Sequence, residues 1–368
     1  MKTILIFSNP FGYGPGGKAI SIAKYISESS SHVKVVLCGN SHFRQMATGI
    51  DCKCIFREMD ERNENEILKI LKSIKGEKYV ISSQNRFAIK AAHENGIQCA
   101  FLDGLSWFWT RIPDDHFLAD IIFWLNYPGI VNKIPQQFKD KIYVVHGITE
   151  KIAATEVRDK KGILMYIGGC KNPLTLLPLN YLDLVAKLMS SIDTTHTNIK
   201  LVSDFDSLAH LREVPSLLGI TKKYSHSEFL SELATTNKFI TNGGQTATIE
   251  AAGMGTSTSF FLPVNLSQYA LIEKLSNSGS FPSIVWRDYV KLPADILDYS
   301  EKDAITYFDA QSREILKDKE RFKLLRDRFC TILSLQNDEV QQKSFLSDVG
   351  STGAADVYRI LKDKWGLS

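Results

Sequence analysis

The chain has 368 residues, 44% of them apolar and 23% charged, enough for two domains of ordinary size and unlike a disordered or fibrous protein. The 44 Lys and Arg against 41 Asp and Glu leave a formal charge of +3, too small to point to nucleic acid or another polyanion. Cys38, Cys52, Cys54, Cys99, Cys170 and Cys330 form no CxxC pair and no histidine stands at ligand spacing, so they read as reduced thiols without zinc.

The apolar run at residues 4–7 is too short for a signal peptide, and no later stretch approaches a membrane span. A cytoplasmic protein is expected. Short apolar runs at residues 3–7, 33–37, 79–82, 98–102, 121–125 and 142–145 predict strands, interleaved with helical spacing at 17–28, 64–74 and 86–94. Asn63 and Asn85 stand where helix N-caps belong. Strands apolar on both faces predict a parallel, doubly wound sheet over residues 1–150.

Residues 148–161 turn polar, and the alternation restarts with strands at 163–167, 199–202, 239–241 and 257–262 and helices at 181–190, 227–234 and 246–252. The reading is an α/β protein of two Rossmann-like doubly wound domains facing a cleft, the second over 162–350. Residues 300–335 read as helices, and 351–368 carry a final helix that can return to the first domain.

The segment Asn9-Pro10-Phe11-Gly12-Tyr13-Gly14-Pro15-Gly16-Gly17-Lys18 lies between the first strand and first helix. Gly12, Gly14 and Gly17 match GxGxxG, but the second strand ends in Leu37-Cys38-Gly39-Asn40 with no acid for a ribose. Gly12 to Lys18 also match GxxxxGK, but Ala19 supplies no hydroxyl for magnesium. A plain βα turn is the third reading. The expectation adopted is an acceptor-side loop of Gly12, Tyr13, Gly14, Gly16 and Gly17.

The densest signal is Thr241-Asn242-Gly243-Gly244-Gln245-Thr246-Ala247-Thr248-Ile249-Glu250, followed by Gly253, Pro263 and Gln268. A strand ends in a glycine pair and a helix begins at once, so its free N–H groups suit a diphosphate. Glu250, inside that helix, is placed to accept hydrogen bonds from a vicinal diol such as ribose.

This stretch resembles the GT-B glycosyltransferases, among them the UDP-dependent glycosyltransferases and the transferase that adds N-acetylglucosamine in peptidoglycan synthesis. The resemblance implies that Gly244, Gln245, Thr246 and Ala247 hold the diphosphate, Glu250 the ribose and Gln268 hydroxyls of the donor sugar, with Asn242 and Gly243 among the donor-binding residues. Gly168 and Gly169, after the first strand of the second domain, match a further phosphate-proximal loop. Val144-Val145-His146-Gly147-Ile148-Thr149 departs from the family by lacking a basic residue near the domain crossing.

Glycosyl transfer needs a base for the acceptor proton. Asp103, directly after a predicted strand, is the first candidate. His116, flanked by Asp114 and Asp115, is the second, and His146 and Tyr13 are weaker candidates for polar contacts. Trp107, Phe108 and Trp109 follow the Asp103 turn, with Trp124 and Tyr127 beyond; they read as core, or, at Trp107, as a platform for the acceptor. Asp204-Phe205-Asp206 is a DxD, read as a helix-start acid pair with no metal assigned.

The expected activity is metal-independent transfer from a nucleotide-diphosphate sugar, UDP- or dTDP-linked, with no cofactor. The alternatives are a GT-B-like epimerase or hydrolase and a non-catalytic nucleotide-sugar binding protein. The partners expected are that small molecule and an acceptor the sequence does not identify, with no nucleic acid and no membrane span.

Overall fold

In the computed structural model, which describes residues 1–11, 14–48, 53–109, 112–127, 130–150, 160–172, 174–192, 198–277, 281–335 and 339–367, the chain divides into two compact units. One comprises Met1–Ile152 with Ser347–Ser368, the other Ala153–Leu346.

In the first unit, Ile4, Leu5, Ile6 and Phe7 of β1 (Lys2–Ser8) are fully buried, as a strand covered by helices on both faces requires. The chain continues through α1 (Gly14–Ser29), β2 (Val33–Gly39), α2 (Ser41–Ala47), β3 (Ile55–Glu58), α3 (Glu64–Ser73), β4 (Lys78–Ser83), α4 (Arg86–Glu94), β5 (Cys99–Asp103), β6 (Ile121–Leu125) and β7 (Ile142–Val145). These strands pair in parallel in the order β3-β2-β1-β4-β5-β6-β7, so the winding reverses between β1 and β4. Asn63 accepts from the Asn65 and Glu66 N–H groups and Asn85 from that of Ala88, which fixes where α3 and α4 begin. The pattern of apolar runs misses α2 and β3. The latter is a four-residue edge strand whose Ile55 is 41% exposed, too polar to leave a run.

The second unit runs through β8 (Ile163–Ile167), α5 (Leu179–Ser190), β9 (Ile199–Ser203), α6 (Phe205–Leu211), β10 (Thr221–Lys222), α7 (His226–Thr235), β11 (Lys238–Thr241), α8 (Gln245–Gly253), β12 (Ser257–Phe260), α9 (Leu266–Asn277), α10 (Glu301–Lys317) and α11 (Lys319–Ser334). Its parallel sheet has the order β10-β9-β8-β11-β12, with the reversal between β8 and β11. Leu164, Val202, Phe229, Leu233, Phe239, Ala247 and Ala251 pack into one apolar cluster that joins α7 and α8 to this sheet. A capping box of Ser225 and Glu228 starts α7.

The boundary between the units falls within α12 (Glu339–Val349), and α13 (Gly353–Trp365) then packs on the first unit. A Cβ on Gly353 would lie 2.1 Å from the His146 carbonyl oxygen, so only glycine lets the helix start there. Its far end is fixed by Trp365, stacked on Tyr79 at 4.6 Å, and by Lys2, whose Nζ donates to the Trp365 carbonyl at 2.6 Å. A cation against the last carbonyls complements the helix dipole. Trp365→Ala is expected to destabilise the protein by about 3 kcal/mol, the cost of emptying a buried aromatic site. Denaturant titration checks this, and a loss within error of zero would mean that α13 is held without Trp365.

Candidate functional site

Ligands of open α/β sheets lie beyond the carboxyl ends of the strands, where the winding reverses. In the second sheet that place is flanked by the turns after β8 and β11. Asn242 Nδ2 donates to the Gly168 carbonyl at 2.7 Å, and the Gly168 N–H donates back to Asn242 Oδ1 at 3.1 Å. Gln268, from the first turns of α9, donates its Nε2 to the same carbonyl at 2.8 Å and accepts the Val264 N–H on Oε1 at 3.1 Å. Both ends of the Gln268 amide therefore shape the Gly168 turn. Gly169 has φ +81°, and a Cβ there would stand 2.6 Å from Asn265 Nδ2 and 2.8 Å from Gln268 Nε2.

After β11, Gly243 takes φ +90° and α8 starts on Gly244, which offers no side-chain cap. The first N–H groups of an α-helix have no intrahelical acceptors. Two hydroxyls without a hydrogen-bond partner stand at the same place: Thr241 Oγ1, on a fully buried residue, and Thr246 Oγ1. Thr241 Oγ1 lies 3.9 Å from where a Cβ on Gly244 would be. Ala247 is buried in the first turn of α8, and Gln245 is partly exposed. Glu250 is 1% exposed; its Oε1 carries no hydrogen bond and His226 Nε2 stands 3.3 Å away.

The DxD residues are occupied, Asp204 by its own helix and Asp206 by Lys171. Asp204 caps α6 by accepting from the Ser207 N–H and hydroxyl at 3.0 and 2.8 Å, and Asp206 pairs with Lys171 at 2.5 Å.

In the first sheet, the structure brings Asp103 and His116 together. Asp103 Oδ1 accepts from the Leu105 N–H at 2.9 Å and from Trp109 Nε1 at 3.3 Å. Its Oδ2 stands 3.2 Å from His116 Nδ1. A short 3-10 helix, Asp114–Leu118, turns His116 back onto the end of β5, where its ring lies 4.5 Å from that of Phe101. Asp103 is 1% exposed and His116 9%.

Gly14, Gly16 and Gly17 belong to the first turn of α1, while Gly12 and Tyr13 lie outside the described residues. A Cβ on Gly16 would meet the flexible end of Met46, with Sδ at 2.9 Å, and Gly17 faces open space. Trp107 is 6% exposed and stacks on Tyr127 at 5.2 Å, a packed position. His146 is tied to Asp356, in the first turn of α13, at 2.6 Å and to Thr352, which precedes that helix, at 3.0 Å.

Several polar residues near these strand ends are not among the candidate site residues the sequence gives. Lys18 is 3% exposed, and its Nζ lies 3.3 Å from where a Cβ on Gly104 would be. Glu61, after β3, is 1% exposed, with no hydrogen bond to Oε2, and burial raises its pKa to about 7. Glu301 accepts the Leu266 N–H at the start of α9, and burial raises it to about 7 as well.

No protein-family model matches the chain, and no curated protein matches its sequence. Solved structures do match in shape. The spinosyn rhamnosyltransferase SpnG aligns over 98% of this chain and 99% of its own at TM-score 0.61 and 10% identity. The MnaA–UDP structure of S. aureus aligns over 100% and 97% at 0.57 and 12%. The Neisseria meningitidis UDP-GlcNAc 2-epimerase bound to UDP-GlcNAc aligns over 98% and 99% at 0.56 and 12%. Likeness at such identities is a likeness of fold, and the fold is GT-B.

Glu61 makes stability depend on pH. An acid whose folded pKa lies above its unfolded value holds its proton more tightly when folded, so its contribution is complete below about 4.5 and disappears as pH rises through about 7. Glu61→Gln removes this loss. Between pH 5 and 8 the wild type is expected to lose on the order of 2 kcal/mol more stability than the variant, read by urea titration at each pH. Parallel curves would place the Glu61 carboxyl in water.

Proposed function

We propose that the chain is a glycosyltransferase taking its sugar from a nucleotide-diphosphate donor, UDP- or dTDP-linked. The observation that carries this reading is the start of α8: an uncapped helix N-terminus entered through Gly243 and Gly244, with the unpartnered hydroxyls of Thr241 and Thr246 beside it. Such a helix end attracts a diphosphate through its dipole and N–H groups. Glu250, with an oxygen free of hydrogen bonds, would accept from the ribose hydroxyls. Gln268, spent on the Gly168 turn, would act by holding that turn in place.

In this reading His116 takes the proton of the acceptor hydroxyl, and Asp103, buried and held by Leu105 and Trp109, orients the ring and balances its charge. The acceptor oxygen forms its bond to the anomeric carbon as the bond from that carbon to the diphosphate breaks. The leaving oxygen keeps the electron pair and is stabilised by the start of α8. No divalent ion is needed for that charge, and Asp204 is committed to capping α6.

The likeness to a UDP-GlcNAc 2-epimerase favours one second reading, turnover of the donor without an acceptor. Incubation with UDP-GlcNAc alone separates the two, because formation of its 2-epimer would establish the epimerase. A thermal-shift panel of UDP-, dTDP-, GDP- and ADP-sugars tests the donor class, since a ligand of the folded state raises the melting point. No shift with any of them would sink the nucleotide-sugar reading.

Glu250→Ala is expected to weaken binding of UDP about 10- to 100-fold, the loss of a charge-assisted hydrogen bond. Calorimetric titration measures it, and unchanged affinity would remove Glu250 from the site. Asp103→Asn is expected to slow transfer about 10²- to 10⁴-fold and to leave UDP affinity unchanged, because an amide cannot stabilise the imidazolium. Near-normal turnover in that variant would reduce Asp103 to a turn residue.

A further inference from the structure

Gln268 holds the Gly168 turn with both ends of its amide, and the start of α9 holds Gln268. Asn265 caps that helix, its Oδ1 accepting the Gln268 N–H at 3.0 Å and the Ser267 hydroxyl at 3.1 Å. A second cap comes from another helix. Glu301, the first residue of α10, turns its carboxyl onto α9, where Oε2 accepts the Leu266 N–H at 3.1 Å and where the Ser267 N–H and hydroxyl also face it. One carboxylate thus stands at two helix starts, where the dipoles favour negative charge. Farther along, the two helices meet through rings, Tyr269 and Phe308 at 5.7 Å.

Asn265, Gln268 and the backbone between them do not titrate, whereas Glu301 does. Burial raises its pKa to about 7, offset by the hydrogen bonds from Leu266 and Ser267. On its own helix Lys302 is exposed and Asp303 is spent on Ser300. On the helices packed against α10, Glu273 pairs with Arg287, Asp183 with His210 and Arg321 with Asp318. Lys187 donates to the Leu316 carbonyl, and Lys274 lies about two turns along α9. Ionised, the Glu301 carboxyl accepts charge-assisted bonds, roughly twice as strong as the neutral ones it accepts when protonated. Deprotonation therefore tightens the first turn of α9 and, through Gln268, the Gly168 turn. For the whole fold the sign is opposite. Burial makes the folded state hold the proton more tightly than the unfolded one, so this contribution to stability is complete below about 4.5 and is lost as pH rises through about 7.

We propose that Glu301 is a positioning residue of the donor site: its charge sets how firmly α9 holds Gln268 on the Gly168 turn, and nucleotide affinity follows that charge. This rests on the nucleotide-donor reading above. In it Glu301 acts through the start of α9 and not by contact with the ligand. Rising pH tightens the donor turn while it lowers the stability of the fold, a combination that a merely structural acid does not produce.

The test compares the full chain with Glu301→Gln, which keeps the acceptor and cannot titrate. In NMR spectra without ligand, the Gly168 and Gly169 amide shifts of the wild type are expected to titrate with a midpoint of about 7, and the variant to lose that transition. In calorimetric titrations UDP should bind the wild type about threefold more tightly at pH 8 than at pH 6 once divided by the same ratio for the variant, which cancels the titration of UDP itself. Over the same span the wild-type Tm should fall by about 3 °C relative to the variant. Amide shifts that stay still or move alike in both proteins would overturn the proposal, as would an affinity ratio of one or less or a Tm difference that does not change with pH. If UDP binds neither protein, the donor reading fails, and the amide titration alone decides whether Glu301 holds the turn.

Discussion

In each domain an asparagine amide spans the point where the sheet reverses its winding, and the turns that flank those points depend on the two bridges. Asn9, after β1, donates to the Gln84 carbonyl after β4; Asn242, after β11, donates to the Gly168 carbonyl after β8. Adjacent parallel strands diverge there, and the ladder no longer pairs the backbone. A side-chain amide supplies the missing donor, a contribution of about 1 kcal/mol each. More important is geometry, since each bridge fixes how far apart the two turns stand and so the shape offered to a ligand.

The two domains use this arrangement differently. In the second, Gly168, Gly169, Gly243 and Gly244 carry no side chains, so backbone and helix start form the surface there. Close approach of a charged group to bare N–H groups needs that absence. In the first, the turns present side chains instead: Gln84, Lys18, Asp103 and His116 converge on Gly104 and the end of β5. A surface of backbone suits a diphosphate, which every donor of one class shares. A surface of side chains suits the discrimination of one partner from another.

Much of the architecture is legible in the sequence because parallel strands buried on both faces leave continuous apolar runs, as in Ile4, Leu5, Ile6 and Phe7. Asn63 and Asn85 announce their helices by cap chemistry. Elements without such signals stay hidden: β3 is a polar edge strand, and β10 has two residues. The glycine run from Gly14 reads as a loop but begins α1, with Pro15 at the helix start, where its missing N–H costs nothing. At the candidate site, the glycine pair before α8 is visible because only glycine tolerates φ +90° there. The meeting of Asp103 with His116 is not, since it depends on the path of the loop between them. Gln84, with φ +59° after β4, is invisible for a stronger reason: nothing in the residue type predicts a left-handed backbone.

The placement of charged side chains separates the two edges of the sheets. At the amino ends, lysines are satisfied by carbonyls that helices and loops leave over. Lys2 donates to Trp365 and Gly366, Lys78 to Leu71 and Ile74, Lys141 to Ala119, and Lys238 to Leu335. These pairs fasten helix ends to strand starts, and burial pushes Lys238 down to about 8. At the carboxyl ends Glu61, Asp103 and Glu250 are buried, and so is Lys18; Glu61 Oε2 has no hydrogen bond, while Asp103 Oδ2 faces His116 Nδ1 at 3.2 Å and Glu250 Oε1 faces His226 Nε2 at 3.3 Å. Leaving the buried Glu61 oxygen unsatisfied costs on the order of 1 to 3 kcal/mol, whereas the other two oxygens each face an imidazole. The amino edges therefore tie strand starts to the ends of helices and loops through lysines, while the carboxyl edges gather acids and imidazoles that no such backbone group occupies.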